Sequence, residues 1–102
     1  MKENKRISLE ELERIAGGVG TGEMFNFSMD VFRKGEKVDW VPCTGREGTP
    51  SKSLRACIHF QQNVPMESVH IYLPDGNELN YDLSFAENGI CEGITLKVLI
   101  EE

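Results

Sequence analysis

Long apolar runs are missing from this chain. No stretch approaches the roughly 18–20 residues needed to span a bilayer. The N-terminus also lacks the apolar stretch of a secretory signal peptide, because Glu10, Glu11 and Glu13 stand where it would lie. Positive charge is scarce: 11 Lys and Arg face 17 Asp and Glu, for a net charge of −6. An acidic surface repels phosphate, so nucleic acid and anionic membranes are poor partners. Cysteine is limited to Cys43, Cys57 and Cys91. None of the three has the short paired spacing of a metal site, and no metal or cofactor is expected. Small buried apolar positions suit them better, although an odd number in an exported protein leaves a thiol free or paired between chains. Cys57 and His59 are two residues apart on an expected helix and face different directions, so they form no nucleophile–base pair. No phosphate-cradling glycine loop and no nucleophile elbow occurs. The chain does not read as an enzyme.

What is present suits one small folded domain. Of 102 residues, 39% are hydrophobic and 27% charged, an ordinary globular balance with no repeats or low-complexity tracts.

The N-terminal segment carries the most specific pattern. Ser8 with Glu11 three positions on is a capping box, which predicts a helix beginning at Leu9. Leu9, Leu12, Ile15 and Ala16 share one face, and Gly17-Gly18 ends the helix. Two turns of isolated helix are marginal in water, so the free segment is expected to be disordered until it meets a partner. Ser8, Glu11, Leu12, Ile15, Gly17 and Gly18 resemble the double-glycine leader of bacteriocin-type precursors. That resemblance implies a leader over 1–18, cut between Gly18 and Val19 by the cysteine-peptidase domain of an ABC exporter. Leu9, Glu11, Leu12 and Ile15 would be the residues read, docked in a groove as an amphipathic helix. The alternative is an ordinary glycine-capped helix lying on the domain.

Residues 19–23 read as a spacer, and 24–102 as the domain. Phe25, Phe27, Met29 and Val31 alternate toward one face; Val38 and Trp40 are expected inward on a second strand after a turn at Arg33 to Glu36. Thr49-Pro50 reads as an N-cap and first helical residue, opening a helix to about Asn63 that buries Leu54, Cys57 and Ile58, with Gln61 a further candidate for that face. Val69, Ile71 and Leu73 follow on a strand, then a short extended piece at Glu78 to Tyr81, then a last strand burying Ile94, Leu96, Val98 and Ile100. The order strand, strand, helix, strand, short strand, strand resembles the β-grasp fold of ubiquitin-like proteins. The expected class is therefore α+β, a mixed β-grasp sheet with one packed helix, preceded by a flexible or helical leader. Modifiers of that fold transfer a C-terminal Gly-Gly, whereas this sequence ends Ile100-Glu101-Glu102, so conjugation and sulfur carriage are not expected.

Period-2 counting puts His70, Tyr72, Lys97 and Leu99 away from the core, and the β-grasp register would gather them into one patch. Phe32, Val41 and Met24 are candidates to extend or rival it. Three functional readings follow. The first is an exported, leader-cleaved binding or effector domain of bacteriocin type, secreted after processing, with the exporter peptidase and an unknown protein target as partners. The second is a ubiquitin-like interaction module that stays in the cytoplasm. The third is the precursor of a chemically modified peptide, which the well-patterned strands disfavour.

Overall fold

The computed structural model describes residues 6–18 and 20–102. A 10-residue strand, β1 (Met24–Arg33), turns back into β2 (Glu36–Arg46). The turn is tight because Lys34 and Gly35 both take positive φ, 52° and 80°, as a primed hairpin turn requires. After β2 come α2 (Ser51–Gln62), a 3-10 turn over Met66–Ser68, β3 (Val69–Tyr72) and β4 (Thr95–Ile100). An additional helix, α1 (Leu9–Ala16), precedes them all.

The sheet order is β2-β1-β4-β3, with β1 and β4 parallel at the centre and antiparallel partners outside. This is a mixed β-grasp sheet. The odd residues of β1 (Phe25, Phe27, Met29, Val31) and the even ones of β4 (Leu96, Val98, Ile100) are buried on its inner face, as the alternation predicts. From α2, Leu54, Cys57 and Ile58 complete that core, together with Ile71 of β3 and Phe85 from the long loop before β4.

Four local expectations are corrected. Trp40 is not inward but 49% exposed. Val31 pairs with Asp39 while Phe32 pairs with Lys37, so Val38 is an extra, bulged residue. Val38 still packs against the core, but the bulge reverses the alternation, and from there Val41, Cys43 and Gly45 point inward. The expected short strand at Glu78 to Tyr81 is reduced to one bridge, Tyr72 with Glu78, leaving four strands among the described residues. Thr49 is not the N-cap of α2: its Oγ1 accepts from the Arg46 N–H at 2.9 Å, closing the β2–α2 loop, and Pro50 takes the cap position. Two helices pack on the domain where one was expected, because α1 is docked on it: Ile7 and Leu12 are fully buried.

Gly45 is the one glycine the core demands. A Cβ there would lie 2.4 Å from Cε2 of Phe85. Phe85 in turn meets Phe27 edge-on at 5.4 Å and Phe25 at 6.3 Å, so the ring has nowhere to retreat.

Candidate functional site

The outer face of the sheet carries the residues that β1, β2, β3 and β4 cannot bury. Because the register is fixed, they fall in rows. One row runs Trp40, Asp30, Lys97, Tyr72 across all four strands, about 14 Å at a spacing of about 4.8 Å. The next runs Lys37, Phe32, Leu99, His70. The structure thus brings together the four residues singled out from the sequence, with His70 opposite Leu99 and Tyr72 opposite Lys97.

Sequence reasoning missed Trp40, the largest side chain on this face. The alternation that turns Val41, Cys43 and Gly45 inward and Trp40 outward is offset from the turn by the bulge at Val38, which the sequence does not mark. Of the suggested extensions, Phe32 belongs to the face and is half-buried under Lys97, whose Nζ lies 5.0 Å from its ring centroid. Val41 does not belong, being fully buried, and Met24 stands exposed at the start of β1.

The face is amphipathic in a defined layout. Asp30 Oδ1 holds Lys37 Nζ at 2.9 Å, and Lys97, over the Phe32 ring, stands among Trp40, Phe32, Leu99 and Tyr72. Beside Tyr72, Lys97 and Leu99 a shallow depression of about 340 Å³ opens, floored also by Pro74 and Thr95. At the β3 edge, both ring nitrogens of His70 meet carboxylates, Nδ1 to Glu78 at 2.9 Å and Nε2 to Glu101 at 2.8 Å. Tyr81 donates to the same Glu78 oxygen at 2.7 Å and accepts from the Ile71 N–H at 2.9 Å. Partial burial tends to raise the Glu78 carboxyl, but the hydrogen bonds from Tyr81 and His70 outweigh it and hold it below its ordinary value. Burial and that same bond to Glu78 push the Tyr81 phenol upward. The Arg55 guanidinium stacks 4.4 Å over the Tyr81 ring. These contacts fix one rim of the face and leave its centre open.

Two of the three thiols are buried. Burial pushes the Cys57 thiol up to about 12, and the more deeply buried Cys43 higher still; such thiols are poor nucleophiles and ligands. Cys91 is exposed. His59 donates through Nδ1 to the Val64 carbonyl, beyond the end of α2.

The residues expected for leader recognition sit on α1. Ser8 Oγ accepts from the Glu11 N–H at 3.2 Å, so Ser8 caps α1 as predicted, and its hydroxyl donates to the Glu11 carboxylate at 3.5 Å in place of the reciprocal backbone bond of a full capping box. Leu12 is fully buried against the domain, Leu9 and Glu11 are half-buried, and Ile15 is 38% exposed. Gly17, at φ 84°, and Gly18 both donate to the Glu13 carbonyl, a Schellman-type stop. Val19, the third residue of the expected cleavage site, lies outside the described residues.

No protein-family model matches the sequence, and no curated protein matches it. Solved structures do match the fold. The ubiquitin of Caldiarchaeum subterraneum superposes with a TM-score of 0.64 at 8% identity, over 76% of this chain and 95% of that one. The UBL domain of Plasmodium falciparum Dsk2 gives 0.63 at 18% identity, over 78% and 100%. An N-terminal ubiquitin-like domain solved in solution gives 0.64 at 15%, over 86% and 85%. At these identities the likeness shows a shared ubiquitin-like β-grasp fold.

Proposed function

We propose that this chain is a ubiquitin-like binding module that acts by holding a protein partner on the outer face of its sheet, without catalysis. The observation that carries the reading is the outward row Trp40, Asp30, Lys97, Tyr72 with Phe32 and Leu99 beside it. Large aromatic and aliphatic side chains around one cation, rimmed by fixed charges, are the composition of a binding hot spot. The matching partner surface is apolar at its centre with a carboxylate placed for Lys97. The test compares proteins captured from the source cell by the wild-type chain and by Trp40→Ala/Leu99→Asp, with Met66→Asp as control. A species lost with the double variant and kept with the control supports the reading. Equal capture by all three chains refutes it.

A second reading is favoured by one observation. Gly17 is needed for its positive φ, but Gly18 has ordinary φ and open space where a Cβ would stand. The fold therefore gives no reason for the second glycine, whereas processing after a glycine pair does. In that reading the chain is an exported precursor, cut after Gly18, whose product is the same binding domain, a bacteriocin-like effector. The burial of Leu12 adds a condition: an exporter peptidase reading Leu9, Glu11, Leu12 and Ile15 must act on a chain whose α1 has left the domain. Incubating the unfolded and the folded chain with such a peptidase tests this by intact mass. A product starting at Val19 from the unfolded chain supports it; no cleavage of either chain refutes it.

A further inference from the structure

Residues 6–16 meet the domain in the manner of a bound peptide. β2 is an edge strand, and Ile7 adds to that edge: its N–H donates to the Pro42 carbonyl at 3.0 Å, and its carbonyl accepts from the Thr44 N–H at 3.1 Å. The pairing is a single parallel bridge, Ile7 with Cys43, after which the chain turns into α1. Main-chain pairing at a sheet edge plus one side-chain pocket per anchor is how extended peptides are recognised. Here the anchors are Ile7 and Leu12, both fully buried.

The seat lies between β2 and α2, and one end of it is unfinished. Beyond Leu12 the groove between α1 and α2 opens into a depression of about 340 Å³ lined by Arg14, Ile15, Cys57, Phe60 and Gln61. Phe60 is 68% exposed there. Gln61 Oε1 is buried without a hydrogen-bond donor, among the described residues. The sequence that follows α1 is glycine-rich; the Gly20 N–H donates to the Glu13 carboxylate, which also pairs with Arg46 of β2 at 3.3 Å. The grasp elements themselves, from Met24 to Ile100, close their sheet without α1.

We infer that the β2–α2 groove is a peptide-binding site filled in cis by the chain's own residues 6–16, and that it rebinds this segment in trans once the 17–23 connection is cut. The ligand class is a short aliphatic segment, extended at Ile7 and helical through Leu12. The site is separate from the outer face, so it stands whether or not that face binds a partner.

The experiment starts from the intact folded chain, nicked by a protease within residues 17–23. The nicked protein is expected to elute natively as one species and to release its N-terminal peptide only in denaturant. With that peptide removed in denaturant and the remaining fragment returned to buffer, a fluorescent synthetic peptide of residues 1–18 binds it saturably. Alanine at Leu12 of the peptide weakens binding by about 10-fold or more, since a buried Leu truncation removes more than the roughly 1.4 kcal/mol that a factor of ten represents. Alanine at the partly exposed Ile15 costs less than about 3-fold. Because only the peptide varies, the domain is constant throughout. The inference is overturned if nicking unfolds the domain, if the released peptide does not rebind, or if the Leu12 and wild-type peptides bind alike.

Discussion

Truncating Leu12 to alanine asks how firmly the N-terminal segment is held. In the folded chain Leu12 is fully buried, so Leu12→Ala removes its transfer free energy and leaves a cavity, together about 3 kcal/mol in a range of about 2–5. An eight-residue helix has almost no stability of its own, so nothing local offsets that loss. A domain of this size is stable by roughly 5–15 kcal/mol, so the change is a large fraction of the total. Trp40 is the only tryptophan and lies on β2, so its fluorescence reports the sheet in a urea titration. With a urea slope of about 1.5 kcal/mol per molar, the midpoint falls by about 2 M. Ile15→Ala, at a position 38% exposed, moves it by less than about 0.7 M. Hydrogen exchange at the Leu12 amide, bonded to the Ser8 carbonyl at 3.2 Å, quickens sharply in Leu12→Ala, while amides of β1 and β4 stay protected. An unchanged midpoint, with Leu12 exchanging at wild-type rate, refutes the packing described for α1.

Further outcomes follow from the same geometry. Gly45→Ala drives a Cβ into Phe85 and lowers stability by about 1–3 kcal/mol in a urea titration, although alanine favours ordered backbone over glycine. In native protein at pH 8, a thiol reagent labels Cys91 quickly and leaves Cys43 and Cys57 untouched until denaturant is added. Glu78 is held below its unfolded value near 4.5, so its contribution is full above that pH and is lost as pH falls through the lower folded value. Glu78→Gln therefore flattens that acid limb of the stability curve measured by thermal melts, and an unaltered limb rejects the network drawn around His70 and Tyr81.

The sequence was informative where a period was unbroken. Phe25 to Val31 and Leu96 to Ile100 alternate without interruption, and both strands lie where that alternation puts them. His70, Tyr72, Lys97 and Leu99 were locatable because β3 and β4 pair in the simplest register. Trp40 was misplaced because one extra residue, Val38, reverses the alternation, and a bulge leaves no mark in a single sequence. The Ser8 N-cap and glycine stop of α1 were legible, but where its apolar stripe would dock was not. Amphipathicity says that a face must be covered, not by what. Here the cover is the chain's own β2 and α2, and Ile7, just ahead of the helix, extends the sheet edge.

The central claim is that a partner sits on the Trp40–Tyr72 face, and photo-crosslinking tests it most directly. A photoreactive residue is placed singly at Trp40, Tyr72 and Leu99, and for comparison at Phe60 and Met66, which are exposed elsewhere. The account predicts that the three outer-face positions give one common adduct in the source cell and the two others do not. A common adduct from Phe60 and Met66, with none from Trp40, Tyr72 or Leu99, would contradict it.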